Sequence, residues 1–250
     1  IMRQIPNERI VYFGDTARVP YGSKSKDNII KFSRQIIRFL QTENVKAIVI
    51  ACNTASALAL DEMQQEFDLP ILGVVKPGAK VAVETTANKR IGLIGTEANI
   101  RSGVYTRYIK SLDDEAKVFE KACPLFVPLV EEGWLHDDIT LQVASRYLEE
   151  LKEKDIDTLI MGCTHYPLIR STIRKVMGDK VNLVNPAYET AIELKNLLER
   201  DNLANKCDVD SPSSMYRFYV SDAEEKFKLF ANSILPFDIT MTKQINIENY

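Results

Sequence analysis

Cysteine occurs four times in these 250 residues, and two of the four are followed by short polar side chains: Cys52 by Asn53 and Thr54, Cys163 by Thr164 and His165. A thiolate takes a proton from carbon and a thiol gives one back, so two thiols facing each other across a cleft suit one reaction well. One removes a proton while the other delivers a proton from the opposite side, which inverts a stereocentre with no cofactor. Each of the pair follows an apolar run that reads as a buried strand, the place where open α/β sheets put ligands. There a thiol faces the amino terminus of the next helix, whose unpaired amides favour thiolate over thiol. A lone cysteine ending a strand is usually a small buried hydrophobe, and only the matched placement of Cys52 and Cys163 argues otherwise. Cys123 and Cys207 lack the polar residues and read as structural. His165 reads either as a hydrogen-bonded core histidine or, next but one to Cys163, as a proton-transfer assistant; we take the second.

The elements that must position these groups alternate along the chain. Strands are expected at Ile10 to Phe13, Ala47 to Ala51, Ile71 to Val75, Ile91 to Gly95, Leu125 to Leu129, Thr158 to Met161 and Tyr216 to Val220. Helices are expected from Asp27 to Gln41, with Ile29, Phe32, Ile36 and Leu40 on one face, and from Asp138 to Lys152. Others run through Leu60, Met63 and Phe67 and through Ile100, Val104 and Tyr108, and later from Ala187 to Arg200 and from Asp222 to Leu235. Strands apolar on both faces, alternating with amphipathic helices, predict an α/β fold with mainly parallel sheets. Gly92-Leu-Ile-Gly95 lacks the third glycine of a dinucleotide fingerprint. Glu131-Glu132-Gly133-Trp134 reads equally well as a solvated charge pair beside a core aromatic.

An internal repeat is the most informative pattern. Shifted by 111 residues, Cys52 falls on Cys163, Asp27 on Asp138 and Leu40 on Leu151, and Val45-Lys-Ala-Ile-Val-Ile-Ala on Ile156-Asp-Thr-Leu-Ile-Met-Gly. Two similar α/β domains facing across a cleft, each with one cysteine, follow. The first is expected to hold residues 1–75 plus 185–250, and the second residues 76–184. In the second half a strand and helix precede the cysteine block; their counterparts in the first half are expected upstream of Ile1.

Composition narrows the remaining classes. With 35 acidic against 32 basic side chains, the net charge of −3 makes a poor partner for nucleic acid or an anionic membrane. The longest apolar run, Ala47 to Cys52, is far short of a membrane span. Scattered cysteines without a CxxC pair, and only two histidines, argue against a disulfide framework and a zinc site and for a reducing cytoplasm.

Ala51-Cys52-Asn53-Thr54-Ala55-Ser56 and Gly162-Cys163-Thr164-His165-Tyr166-Pro167-Leu168 resemble the two active-site motifs of the glutamate racemase family. Gly14-Asp15-Thr16-Ala17-Arg18-Val19-Pro20-Tyr21-Gly22 is similar to that family's early substrate loop, and the resemblance runs along essentially the whole chain. It implies Cys52 as the base for D-glutamate, Cys163 as the base for L-glutamate, and His165 as the assistant of Cys163. Glu131 or Glu132 matches the acidic residue often near that histidine. Tyr21, Gly22, Asn53, Thr54, Thr96, Thr164 and His165 match substrate contacts, while Asn99 stands where many members have a second threonine. The family's aspartate–serine–glycine turn after the first strand, whose aspartate assists the first cysteine, is absent from the sequence. The resemblance implies interconversion of L- and D-glutamate for peptidoglycan, with no metal, nicotinamide or pyridoxal phosphate; it leaves a homodimer open. The competing readings are an aspartate or other amino-acid racemase and an inactive glutamate-binding protein.

Overall fold

Nine strands and ten α-helices alternate through the residues described by the computed structural model, which are 1–206, 215–235, 237–239 and 242–250. The first stretch runs β1 (Ile10–Gly14), α1 (Lys26–Thr42), β2 (Ile48–Ile50), α2 (Asn53–Glu66), β3 (Ile71–Gly73) and α3 (Val75–Thr85). Next come β4 (Arg90–Gly95), α4 (Glu97–Ser102), α5 (Val104–Leu112), β5 (Lys117–Ala122), α6 (Phe126–Glu131), α7 (Asp138–Lys152), β6 (Thr158–Gly162), α8 (Arg170–Met177) and β7 (Asn182–Val184). The chain closes with α9 (Pro186–Arg200), β8 (Tyr216–Val220), α10 (Glu224–Ile234) and β9 (Thr242–Gln244). Every strand pairing among the described residues is parallel: β5-β4-β6-β7 form one sheet, β1-β8-β9 a second and β2-β3 a third. The protein is therefore α/β with parallel sheets, as the sequence predicts.

The repeated helix–strand blocks show why these segments fold as they do. In α7 the Asp137 carboxylate accepts from the Ile139 amide at 2.7 Å, capping the first turn. Ala144, Leu148 and Leu151, at helical spacing, are buried on its inner face; each leucine contributes about 2 kcal/mol by leaving water. The five residues of β6 that follow are all buried, which explains their continuous apolar run. In the matching block, Ser25 caps α1 through the Asn28 amide, and Ile29, Ile37, Phe39 and Leu40 bury its inner face. Ile29 and Leu40 are buried as the sequence predicts, whereas Phe32 and Ile36 are half-buried at the edge of the same cluster.

Four sequence expectations need correction. Leu125 to Leu129, expected as a strand, belongs to the helical segment around α6, and the strand lies earlier, at β5. Pro128 sits in the first turn of α6, where its missing N–H costs nothing. As an outer strand bonded only to β4, β5 carries Lys117, Glu120 and Lys121 and so shows no apolar run. The strand expected to reach Val75 ends at Gly73, and Val75 opens α3, with Pro77 and Gly78 inside that helix. The single helix through Ile100, Val104 and Tyr108 is two, α4 and α5, broken at Gly103, whose φ of 61° is left-handed. Trp134, weighed as a core aromatic, is 44% exposed. Cys207 lies outside the described residues.

Candidate active site

In parallel sheets ligands collect beyond the carboxyl ends of the strands, and here four such ends converge on one cavity. Gly14 of β1 leads to Asp15, Ile50 of β2 to Ala51 and Cys52, Gly95 of β4 to Thr96, and Gly162 of β6 to Cys163; all of these but Gly95 line a cavity of about 1320 Å³. Its wall includes Tyr21, Gly22, Cys52, Asn53, Thr54, Thr96, Glu131, Cys163, Thr164 and His165, but neither Glu132 nor Asn99. Away from the cysteines the cavity extends between β1 and β2, which do not pair with each other, as far as Ile5 and Leu198.

The two thiols are held alike. Cys52 occupies the cap position immediately before α2, where the nearby amides of Thr54 and Ala55 act to lower its pKa. Cys163 stands just before a 3-10 turn, Tyr166–Ile169, where the nearby amides of His165 and Tyr166 act in the same way. These amides favour the thiolate, as expected. Burial outweighs them: both thiols are raised above the usual range, and Cys163, only 7% exposed, is pushed up to about 12. Negative charge on Cys52 raises Cys163 further. The pair therefore disfavours two anions and suits one thiolate facing one thiol.

His165 links Cys163 to an acid. Its Nδ1 lies 3.7 Å from the Cys163 Sγ and its Nε2 lies 3.3 Å from Glu131 Oε1. Glu131, not Glu132, is thus the acidic partner. Burial lowers the His165 pKa below the usual 6.5 even though the Glu131 charge opposes this, so the ring is neutral at pH 7. A carboxylate only accepts, so Nε2 carries the proton toward Glu131 and Nδ1 is left to accept from the Cys163 thiol.

The remaining candidates form the rim. The Thr54 and Thr96 hydroxyls are 2.9 Å apart, Asn53 Oδ1 accepts from the Tyr105 hydroxyl at 2.6 Å, and Thr164 is exposed at the cavity wall. Tyr21 and Gly22 open a short 3-10 turn packed on α4; a Cβ placed on Gly22 would sit 2.7 Å from Thr96 Cβ. Asn99, buried in α4, donates to the Gly162 carbonyl at 2.9 Å and so fixes the peptide leading into Cys163. No group of three or more His, Cys, Asp or Glu able to hold a metal is present among the described residues.

The model of the Asp/Glu/Hydantoin racemase family matches residues 2–192. The chain belongs to this family. It is 41% identical to a glutamate racemase of Geobacter metallireducens over 99% of this chain and 91% of that protein. A crystal structure of a glutamate racemase isoform from Bacillus anthracis superposes with a TM-score of 0.93 at 36% identity, covering 98% of this chain and 90% of that one. A glutamate racemase of Francisella tularensis in complex with D-glutamate gives a TM-score of 0.91 at 36% identity over all of this chain and 92% of that one. Two residues of this racemase-family site were not singled out from the sequence. Tyr105 was hidden because a tyrosine on an amphipathic helix reads as core, and it is indeed 1% exposed. Asp15 stood inside the early loop motif, but nothing in a single sequence shows that its carboxylate is buried.

Proposed function

We propose that this protein interconverts L- and D-glutamate without a cofactor, by two-base proton transfer between Cys52 and Cys163. The observation that carries the reading is the pair of thiols on one cavity wall, each beyond a parallel strand, in a chain similar to glutamate racemases along its whole length. In the L-to-D direction the Cys163 thiolate takes the α-proton and becomes a thiol, and the electron pair stays on Cα. The Cys52 thiol then delivers its proton to the opposite face and becomes the thiolate, so atoms and charge balance. His165, oriented by Glu131, receives the Cys163 thiol proton to prepare the base. Asn53, Thr54, Thr96, Thr164, Tyr21 and Gly22 supply donors and contacts for the substrate's ammonium and carboxylates.

Residues 1–75 with 185–250 and residues 76–184 are inferred to be the two domains, since β4 to β7 fall in the second range and the other strands in the first. Glutamate bound between them draws the halves together. The reaction belongs in the cytoplasm, supplying D-glutamate for peptidoglycan. No described helix is long and apolar enough to cross a membrane. A homodimer is tested by sedimentation with and without glutamate.

The deciding experiment follows L-glutamate in deuterated water by proton NMR, with a D-enantiomer assay and a chelator present. Loss of the α-proton signal with appearance of D-glutamate is expected, abolished by Cys52→Ala and by Cys163→Ala and nearly unchanged by Cys123→Ala. Activity within tenfold of wild type for either of the first two removes the two-base mechanism. Inversion of L-aspartate at a rate matching that of L-glutamate replaces the substrate assignment, and binding without exchange replaces catalysis.

A further inference from the structure

Asp15, directly after β1, is a buried carboxylate whose side chain is 5% exposed, and it gathers donors from three directions. Arg18 Nε approaches both of its oxygens, at 2.9 and 2.8 Å. The Ser221 hydroxyl donates to Oδ1 at 2.9 Å and itself accepts from the Ala17 amide at 2.8 Å. The Tyr21 hydroxyl donates to Oδ2. Arg18 is in turn fixed on its other side. Its Nη1 donates to Gln35 Oε1 on α1 at 2.6 Å and reaches Glu248 at 3.2 Å, and its guanidinium carbon stands 4.1 Å above the centre of the Phe32 ring. The last nitrogen, Nη2, is buried with no hydrogen-bond partner. An apolar side chain of the same length would cover Phe32 without leaving that group unsatisfied, so packing alone does not account for an arginine here.

Arg18 does not line the cavity, whereas Asp15, Val19, Pro20, Tyr21 and Gly22 do. We propose, resting on the glutamate racemase reading above, that Arg18 is a positioning residue for the substrate loop, acting through Asp15 and Tyr21 to hold Gly22 against Thr96. The chemistry favours arginine at this point. The planar fork spans both Asp15 oxygens from Nε while Nη1 reaches α1, a geometry an ammonium group cannot reproduce. Without the guanidinium, a buried carboxylate loses the cation paired with it, and the acceptor for the Tyr21 hydroxyl is no longer fixed. The turn carrying Tyr21 and Gly22 then has no defined height above Thr96, and the rim contacts that it supplies are lost equally for both enantiomers.

The test measures KM and kcat in both directions, together with thermal stability, for Arg18→Met, Arg18→Lys and Ser221→Ala. The expected result is a rise in KM of about tenfold for L- and D-glutamate alike in Arg18→Met, with kcat within about threefold, the pattern of lost uniform binding. Arg18→Lys and Ser221→Ala should raise KM by about threefold and carry the test if Arg18→Met does not fold. In a Tyr21→Phe background the further effect of Arg18→Lys on KM should vanish, because the relay through the Tyr21 hydroxyl is already cut. A KM unchanged by Arg18→Lys and Ser221→Ala despite a lower melting temperature overturns the proposal, as does an equal effect with and without the Tyr21 hydroxyl. If the wild-type protein does not racemise glutamate, the functional reading falls, and the proposal with it; an active wild type with silent variants sinks the proposal alone.

Discussion

Thr54 and Thr96 share a hydrogen bond of 2.9 Å although one opens α2 beside Cys52 and the other caps α4 at the end of the sheet that carries Cys163. The same Thr96 hydroxyl accepts from the Asn99 amide at 3.3 Å, and Asn99 holds the Gly162 carbonyl at 2.9 Å. A short chain of contacts thus runs from the residue two after the first cysteine to the peptide before the second. It ties the separation of the thiols to ordinary capping and packing rather than to a flexible loop.

Thr96→Ala removes a helix cap and the bond to Thr54 together. Loss of the cap alone costs about 1 kcal/mol, which for a chain of this size lowers the melting temperature by roughly 2–4 °C. Racemisation should fall by at least tenfold in kcat/KM, while Thr96→Ser, which keeps the hydroxyl, should restore most of both. A serine variant as impaired as the alanine one would show that the methyl group against Gly22, and not the hydroxyl, is what Thr96 provides.

Much of this site is legible in the sequence because period and repetition report it directly. The repeat that carries Cys52 onto Cys163 also carries α1 onto α7 and β2 onto β6, so both cysteines could be placed beyond a strand before any coordinates. What escaped was set by neighbours distant in the chain. β5 could not be seen as a strand because only β4 flanks it and it carries three charged residues, and α6 looked like a strand because its apolar run holds a proline that the first turn tolerates. The buried state of Asp15 depends on Ser221, which arrives from beyond β8, as well as on Arg18 and Tyr21 of its own loop. The thiol pKa values moved opposite to the helix-terminus expectation because depth of burial, which no spacing rule encodes, outweighed the amides.

Gly162 joins β6 to Cys163 in register with Gly95 of β4. A Cβ there would lie 2.8 Å from the Ile94 carbonyl oxygen, a backbone atom that cannot swing aside. Gly162→Ala should therefore push the two strands apart at the site, destabilising the fold by about 1–3 kcal/mol and lowering kcat well beyond tenfold. Circular dichroism melts and assays on the folded fraction check this; a variant with wild-type stability and rate would mean that β4 and β6 part without cost.

Raised thiol pKa values give a signed prediction for the free enzyme. Only the thiolate is alkylated by iodoacetamide, and with Cys163 pushed up to about 12 its thiolate fraction at pH 7 is on the order of one part in 100,000. Because the shift is upward, reactivity must grow as pH rises, about tenfold per unit from pH 6 through 9, with no plateau near the ordinary thiol value of about 8.5. Mass-spectrometric mapping of the labelled peptide separates Cys163 from Cys123, which burial also pushes up to about 12. Rapid labelling of Cys163 that is independent of pH between 6 and 8 would show a preformed thiolate and contradict the argument from burial.

His165 contacts only one of the two cysteines, and that asymmetry is measurable. The two enantiomers have equal free energy, so any variant must lose kcat/KM by the same factor in both directions. The asymmetry has to be sought in which proton transfer limits the rate. His165→Asn removes the acceptor 3.7 Å from the Cys163 Sγ and the link to Glu131, and so raises the barrier at which Cys163 exchanges the α-proton relative to the one at which Cys52 does. With α-deuterated L-glutamate the isotope effect on kcat/KM should increase, since breaking that bond becomes the slow step. With α-deuterated D-glutamate it should shrink, because Cys52 breaks that bond before the slow step. The loss in kcat/KM should be about 100-fold or more, within the range of general acid–base assistance. Glu131→Gln, which keeps a hydrogen-bond acceptor for Nε2 but not the charge, should shift the isotope effects the same way with a smaller loss. Isotope effects that stay equal for both enantiomers in His165→Asn would assign the histidine to substrate contact instead of to Cys163.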